Sequence, residues 1–253
     1  MSLDPASLVG LVIGVVALFG TQLVEGGHPA SLLQLPAALI VGIGTLGATL
    51  LSCTTSQLEC ARRELRRAFR PAAERAALLP GRFRYLAFVA RKDGLIALDQ
   101  SQRALPTPFM RRAMRHLIDG CDERQLRDIL CADARARSGD ALAAARVFEV
   151  AGGYAPTMGI LGAVLGLVRA MEALADPDAL GAGIATAFIA TIYGVAGANL
   201  VLLPIATKIR ERARRQEDED AIVIEGMVGL QSGISPRTLE RILQAHLTRE
   251  EPA

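Results

Sequence analysis

The sequence predicts an all-α integral membrane protein with four transmembrane helices and a helical cytoplasmic domain inserted between helices 2 and 3. Four stretches contain no Asp, Glu, Lys or Arg, namely 8–24, 31–53, 150–168 and 179–207. Each has about 17 residues or more, enough for a helix to cross a hydrocarbon layer of ~30 Å. A mean hydropathy of +0.32 coexists with 21% charged residues, so apolar and charged residues are segregated along the chain.

The uneven distribution of basic residues predicts the topology. Of 28 Lys and Arg residues, 19 lie between Arg62 and Arg146 and eight lie from Lys208 onward. Cytoplasmic segments of membrane proteins carry the excess of positive charge, so both regions are expected in the cytoplasm. The links Glu25–Ala30 and Arg169–Asp178 then lie outside, and both termini are cytoplasmic.

The predicted domains follow from this topology. Residues 1–53 hold helices 1 and 2 with a short periplasmic link, and 54–149 form the cytoplasmic helical domain. Residues 150–207 hold helices 3 and 4, and 208–253 form cytoplasmic C-terminal helices. No positively charged region precedes the first apolar run, so it is expected to stay as an anchor rather than to be cleaved as a signal peptide.

Helix-forming residues at helical spacing, separated by Pro and Gly, predict the cytoplasmic helices. Lys208–Asp220 is expected to extend the fourth transmembrane helix, and the Ser235–Pro236 pair marks the start of a further helix. The remaining expected helices are Leu58–Phe69, Phe83–Gln100, Arg111–Asp119, Glu123–Ala134, Asp140–Val150 and Arg237–Leu247.

No pattern in the sequence predicts catalysis. It contains no nucleotide-binding loop, no paired catalytic carboxylates and no Ser/His/Asp arrangement. Four cysteines lack CxxC spacing and three histidines are scattered, so neither a metal site nor a disulfide is expected. We therefore expect a protein that is not an enzyme and has no cofactor and no nucleic-acid partner.

Small residues recur at helical spacing in the third and fourth predicted spans. Such residues allow helix backbones to approach closely in lipid, where no hydrophobic force drives helices together. Two interpretations remain open: the residues pack helices within one chain, or they receive a helix from another chain, which we favour. The set comprises Gly159, Gly162, Ala163, Gly166, Gly183, Ala187, Thr191, Gly194 and Ala198.

Two prolines and one threonine complete the membrane pattern. Pro156 and Pro204 lie near the cytoplasmic ends of spans three and four, where each removes a backbone donor, so the pair suggests a joint. Proton pathways through membranes normally use buried carboxylates or histidines, and the spans contain no carboxylate. Thr191 is the clearest polar candidate at mid-membrane depth. Because a threonine hydroxyl does not titrate, the group that carries the proton must come from a partner.

The chain resembles the MotA family, the larger subunit of the bacterial flagellar stator. The motifs that carry the resemblance are Leu23–His28, Arg91–Asp99, Ala151–Gly162 and Gly183–Gly194. The resemblance implies a ring of subunits, thought to be five, around two MotB-type subunits that supply the proton-carrying aspartate and bind peptidoglycan. It also implies the bacterial inner membrane, contact with membrane lipid, and the rotor protein FliG as a partner.

The resemblance assigns roles to individual residues. Pro156 and Pro204 match the family's two functional prolines, and Thr191 matches a polar residue that faces the ion path. Ala163 and Ala190 stand where sodium-driven members tend to carry Thr, which favours protons. The predicted partner-helix contacts are Gly159, Gly162, Gly166 and Gly194. The predicted rotor-facing residues are Arg91, Lys92, Asp93 and Asp99, the last at a position where Glu is commoner.

Three other classes of protein remain as alternatives. An energiser of outer-membrane processes, similar to ExbB or TolQ, shares the small-residue spans, but it has one span before its cytoplasmic domain and this sequence has two. A stand-alone channel or transporter is disfavoured by the uncharged spans. A passive membrane scaffold requires neither the paired prolines nor Thr191.

Overall fold

In the computed structural model, which describes residues 5–24, 26, 29–69 and 76–248, every regular element is helical. The all-α prediction is confirmed. The α-helices are α1 (Pro5–Val24), α2 (Leu35–Ser52), α3 (Thr55–Ala68), α4 (Leu79–Asp93), α5 (Asp99–Gln102), α6 (Pro108–Ile118), α7 (Glu123–Glu172), α8 (Pro177–Ala196), α9 (Leu203–Gln231) and α10 (Pro236–Thr248). Short 3-10 turns cover Pro29–Leu32, Ala76–Leu78 and Leu95–Leu98, and a π-helical turn covers Gly197–Leu202.

The chain divides into two compact units, and it passes between them within α7 and α9. The first unit holds Met1–Pro71 and Asp140–Glu211, and the second holds Ala72–Gly139 and Arg212–Ala253. The amphipathic helix α3, predicted to belong to the cytoplasmic region, lies in the first unit.

Three helical stretches in the described chain are long and apolar enough to cross a membrane: α2, α7 and the continuous run Pro177–Gln231. The first helix adds a shorter apolar portion, Val9–Val24. These stretches carry the apolar segments predicted from the sequence. Most of their large apolar side chains are exposed, as in Ile13 and Ile43, which suits a hydrocarbon surrounding.

Helices α2 and α8 pack together in the first unit. Ala37 and Val41 of α2 form a buried cluster with Ile189 and Ala190 of α8. The hydroxyl of Tyr193 accepts a hydrogen bond from the Gln34 backbone N–H at 3.2 Å and donates one to the Leu32 carbonyl. This tyrosine therefore fixes the chain immediately before α2 to α8.

Small residues form the buried face of the amphipathic helix α3. Thr54 caps its first turn in a reciprocal arrangement with Gln57, which satisfies backbone donors at the helix start. Its buried face packs against α7 and α9, while Arg63 binds Asp140 at 2.8 Å. The buried residues of this cluster are Cys60, Ala61, Ala68, Ala144, Ala145, Val147 and Ile209.

The second unit has its own hydrophobic core, built from α4, α6, the first part of α7, the last part of α9, and α10. Gly226 of α9 lies beneath the Phe83 ring, where an added Cβ would lie 2.5 Å from the ring carbons. A glycine is therefore required for this close approach. The largest fully buried side chains of the core include Phe83, Phe109, Met110, Met114, Leu126 and Met227.

A buried carboxylate lies at the edge of this core. Asp220 is only 4% exposed and accepts two hydrogen bonds from Arg137, at 3.1 and 2.8 Å, and one from Gln216 at 3.0 Å. The Arg137 guanidinium also stacks over the Phe109 ring, 4.9 Å from its centroid. Burial raises the pKa of Asp220, although Arg137 opposes the shift.

A second ion pair of the unit joins Arg127 of α7 to Glu225 of α9 through two contacts, at 2.5 and 3.2 Å. The hydrogen bonds from Arg127 lower the pKa of Glu225, so this carboxylate stays ionised. The pair ties two helices of the core together at its rim.

Two helix predictions are wrong. The predicted helix Phe83–Gln100 ends at Asp93, because Gly94 has φ +84°, a positive value that glycine adopts readily and that an α-helix does not contain. A 3-10 turn and the short α5 follow, so Arg91 and Asp99 do not share one helix. The predicted break between Glu123–Ala134 and Asp140–Val150 does not occur either. Both segments belong to α7, which has 50 residues and keeps Gly139 helical at a propensity cost of about 1 kcal/mol.

Part of one motif lies outside the described residues. Leu23–His28 includes Glu25, Gly27 and His28, which the structure does not describe.

Candidate functional site

The small residues of α7 and α8 bring the two helix backbones into direct contact. A Cβ added at Gly159 would lie 2.9 Å from the Ala190 carbonyl oxygen, and one at Gly166 would lie 2.7 Å from the Ala187 nitrogen. A Cβ added at Gly194 would lie 2.5 Å from the Ala155 carbonyl oxygen. Because these neighbours are backbone atoms, they cannot move aside as a side chain can.

Intrachain packing therefore occupies the predicted partner-contact glycines. Gly159, Gly162, Gly166 and Gly194 are all buried within the chain, and Gly162 faces the side chains of Ala190 and Ile40. Of the two interpretations that the sequence left open, packing within one chain accounts for these contacts. We assign the four glycines to that role rather than to a partner helix.

The three predicted ion-pathway residues differ in exposure. Thr191 is partly exposed, and its hydroxyl donates to the Ala187 carbonyl at 3.2 Å, which leaves the oxygen free to accept. Ala163 is also partly exposed. Ala190 is 0% exposed because it packs on Gly162, so its side chain does not reach a surface of the chain. Thr191 and Ala163 are thus the two candidates that a partner or an ion could approach.

Both prolines lie within helical runs, and residues close to one proline contact residues close to the other. Pro156 lies inside α7, and Pro204 follows the π-helical turn Gly197–Leu202. Gly152, one turn before Pro156, packs on the side chain of Leu203, which directly precedes Pro204. The turns that contain the two prolines are therefore in contact through these neighbours, and the joint itself stays a prediction.

Hydroxyl groups near the prolines bond carbonyls of their own helical turn or the hydroxyl of a neighbouring helix. Thr157 donates to the Tyr154 carbonyl at 2.8 Å, and the Tyr154 hydroxyl bonds the Ser52 hydroxyl at the end of α2, also at 2.8 Å. Thr207 donates to the Leu203 carbonyl at 3.0 Å. A π-helical turn is a common accommodation next to a residue that lacks an N–H.

The predicted rotor-facing residues are exposed on the second unit. Arg91, Lys92 and Asp93 form the last turn of α4, and Asp99 opens α5. Arg91 approaches the Gly233 carbonyl at 3.5 Å, which is a weak contact. The four side chains are thus available to a partner, on two elements separated by the Gly94 turn.

Arg91 also borders a groove of about 680 Å³ between α4 and α10, and this groove was not predicted from the sequence. Tyr85 and Phe88 line it and are 61% and 59% exposed, an unusual exposure for aromatic side chains. A sequence signal did exist, since Tyr85 and Phe88 are three residues apart and share a helix face with charged neighbours. The remaining lining residues are Gly81, Arg84, Ser235, Pro236, Arg237 and Glu240.

Metal-binding groups do not cluster in the part of the chain that the structure describes. Within it, no three His, Cys, Asp or Glu residues are grouped so as to hold a metal ion.

The family model for the MotA/TolQ/ExbB proton channel family matches residues 101–221. Over nearly the whole chain, the protein is 35% identical to the uncharacterized protein YtxD of Bacillus subtilis (98% of this chain, 91% of the relative). It is 30% identical to the chemotaxis protein PomA of Vibrio alginolyticus (99% and 98%). The chain therefore belongs to the MotA/TolQ/ExbB proton channel family.

Solved structures narrow this assignment. The fold matches a chain of C. jejuni MotAB with a TM-score of 0.91 and 28% identity, covering 99% of this chain and 98% of that one. It matches the flagellar MotAB stator complex of Bacillus subtilis with a TM-score of 0.86 and 29% identity, covering 98% and 100%. Within its family the chain is a MotA-type subunit of the flagellar stator, and the resemblance is confirmed.

The close contact of α7 with α8 predicts a difference between two glycines of the same helix. Gly194→Ala should lower the melting temperature of the detergent-solubilised protein by about 5 °C, because overpacking costs about 1–3 kcal/mol. Gly181→Ala is the matched control, since an added Cβ there meets no atom within 4 Å. Melting can be followed by circular dichroism. Equal melting of both variants would show that the helices separate without cost.

Proposed function

We propose that this subunit conducts ions in the stator of a bacterial flagellar motor and couples proton flow to torque on the rotor through a complex with a MotB-type partner. The observation that carries this is the match to stator chains over the full length of both proteins. This whole-length similarity favours the stator over an ExbB- or TolQ-like energiser.

The proposed membrane arrangement has four transmembrane helices: α1, α2, the later part of α7, and α8 with the start of α9. Residues 54–149 and 208–253 then lie in the cytoplasm of a bacterial inner-membrane protein, because they carry almost all of the basic residues. Both termini lie on the same side.

Reporter fusions test this topology. Fusions after Ala30 and Asp178 should report a periplasmic position, and fusions after Gln102 and Arg237 a cytoplasmic one. A periplasmic result at Gln102 would overturn the arrangement, since the basic region would then have crossed the membrane.

A partner must supply the titrating group. The four apolar stretches contain no carboxylate, and a proton cannot cross on hydroxyls alone at a useful rate. We infer that a ring of five subunits surrounds two MotB-type subunits, whose aspartate carries the proton and which bind peptidoglycan. Exposed apolar side chains such as Val12 and Val16 of α1 would face lipid or a neighbouring copy. Native mass spectrometry of the purified complex measures how many copies of this subunit and of the MotB-type partner it contains.

Protons are the proposed coupling ion. A sodium ion that sheds water needs several oxygen ligands, and Ala163 and Ala190 provide none. Of the three ion-pathway candidates, only Thr191 has a hydroxyl, and its oxygen keeps a free acceptor site, which suits a position that orients water near the partner's carboxylate.

Motility measured against external sodium tests the choice of ion. At constant proton-motive force, swimming speed should not change with sodium concentration. Thr191→Val should slow swimming because it removes the hydroxyl and keeps the shape, whereas Thr191→Ser should swim close to the wild type. Speed that follows external sodium would contradict the proposal.

The paired prolines are proposed to form the joint at which ion flow changes helix shape. Pro156 and Pro204 each remove one N–H from a helical run, and their neighbours Gly152 and Leu203 are in contact. A change at one proline is therefore transmitted directly to the other turn. A proline replaced by Ala should reduce torque without reducing membrane expression; unchanged torque in both variants would remove this role.

The rotor protein FliG is the proposed partner of the second unit. Arg91, Lys92, Asp93 and Asp99 present both signs of charge on neighbouring exposed elements. Exposed charges steer encounter and register more than they tighten binding, which suits a contact that must form and release rapidly. The neighbouring Tyr85 and Phe88 supply apolar area that the charges lack.

Charge reversal in a strain that lacks the gene tests this contact. The deletion strain should not swim, and the wild-type gene on a plasmid should restore swimming. Arg91→Glu and Asp99→Lys should each leave swimming near the level of the deletion strain, with normal expression. Arg62→Glu is the control, because Arg62 is an exposed arginine of the first unit.

These experiments distinguish the stator function of the protein from the proposed rotor contact at Arg91 and Asp99. A deletion strain that swims normally would overturn the stator function. If the deletion strain is immotile but both reversed variants swim, the function stands and the rotor contact lies elsewhere. A reversed acidic residue on the rotor that restores Arg91→Glu would identify the partner directly.

A further inference from the structure

A hollow of about 460 Å³ in the second unit is surrounded by arginines. It lies at the junction of α5 and α6, apart from the groove beside Arg91. No lining residue of this described hollow is acidic, and none is aromatic. The lining residues are Gln102, Arg103, Pro108, Arg111, Arg112 and Arg115.

Two of the four guanidinium groups are held in place by the protein. Arg111 donates to the Leu105 carbonyl at 2.8 Å, and Gln102 donates to the Arg111 carbonyl at 3.0 Å. Arg112 binds Asp133 through Nε at 3.0 Å and a terminal nitrogen at 2.6 Å. These contacts fix one wall of the hollow.

The other two guanidinium groups, those of Arg103 and Arg115, are exposed, and these side chains make no hydrogen bond or ion pair with any residue that the structure describes. Each guanidinium presents a planar set of donors that matches a phosphate oxygen pair. The hollow thus has two guanidinium groups without partners in the described chain, those of Arg103 and Arg115, beside two that are held by hydrogen bonds, those of Arg111 and Arg112.

A second arginine cluster of the same chain has carboxylates that neutralise most of its positive charge. The hollow beside α3 has the same volume, about 460 Å³, and is lined by four arginines together with Glu59. There Arg63 binds Asp140 and Glu64, and Arg67 also binds Glu64. Its charges are balanced by three carboxylates, whereas the hollow at α5 and α6 has Asp133 alone. The excess of positive charge is therefore larger at the hollow of α5 and α6.

We propose that Arg103, Arg111, Arg112 and Arg115 form a binding site for a soluble anion that carries two linked phosphate groups. Each of the two free guanidinium groups can pair with one phosphate, so an anion with two linked phosphates can occupy both, and bidentate pairing with guanidinium is the geometry that phosphate prefers. Because no aromatic side chain lines the hollow, the site recognises phosphates rather than a nucleobase. Unneutralised arginines raise the local concentration of such an anion.

The position of the hollow gives the site a consequence for torque, which rests on the proposed rotor contact. Helix α5 carries Asp99 at its first residue and Gln102 at its last, and Arg103 follows directly. A bound anion would therefore place negative charge about one helical turn from Asp99. It would change the electrostatic surface offered to the rotor without touching the ion pathway.

Binding of pyrophosphate to the full-length chain in detergent tests the site, with isothermal titration calorimetry as the readout. Arg103→Gln combined with Arg115→Gln should weaken pyrophosphate binding by about 100-fold, since each charged hydrogen-bonded contact is equivalent to about a factor of ten. The matched control combines Arg62→Gln with Arg66→Gln on α3, and it should bind as the wild type does. Circular dichroism should show equal melting of all three proteins.

Four results of the calorimetric titrations would overturn the proposal. These are no saturable binding, equal binding by the Arg103/Arg115 double variant, equal weakening by the α3 double variant, and full competition by sulfate at equal concentration. Displacement of pyrophosphate by phosphatidylglycerol would place the phosphate on a lipid and would also overturn a soluble ligand. Because the assay measures binding and not swimming, its failure leaves the stator function intact, and a loss of the stator function leaves the binding result intact.

Discussion

The contact between the backbones of α7 and α8 determines most of what the first unit can do. In lipid no hydrophobic force holds helices together, so their attraction depends on close van der Waals contact. Gly159, Gly166 and Gly194 permit that contact, because each would place a Cβ within 3 Å of a backbone atom of the facing helix. The same contact buries Ala190 and leaves Thr191 beside it, partly exposed. The position of the candidate ion-pathway hydroxyl is thus a consequence of three missing side chains.

The π-helical turn Gly197–Leu202 solves a problem that Pro204 creates. A proline inside a helix has no N–H for the carbonyl four residues earlier, and its ring clashes with that carbonyl. A wider turn before the proline gives its ring more room beside that carbonyl. It also changes the direction in which later side chains point. The turn is therefore a place where the helix can alter its shape at low cost, directly beside the turn that precedes Pro156.

Much of the fold could be predicted from the sequence, because lipid imposes a simple rule on composition. The apolar stretches predicted the long apolar helices, and Ser235–Pro236 predicted the start of α10. Gly94 is a sequence signal for a helix end, and the predicted continuous helix through Asp99 was wrong. The choice between intrachain and partner packing could not be made from the sequence, since a stripe of small residues has the same pattern in both cases. The groove at Tyr85 and Phe88 depends on α10, which is distant in the chain.

The charges of the second unit fall into two groups with different physical roles. Asp220 with Arg137, and Glu225 with Arg127, are partly buried pairs that join α7 to α9. Removing one partner would leave a charge without compensation, so these residues are constrained by the fold. Arg91, Arg103 and Arg115 are exposed and contribute little to folding. Residues that the fold does not need are free to serve a partner or a ligand. The unit therefore separates the charges that hold it together from those through which it can be recognised.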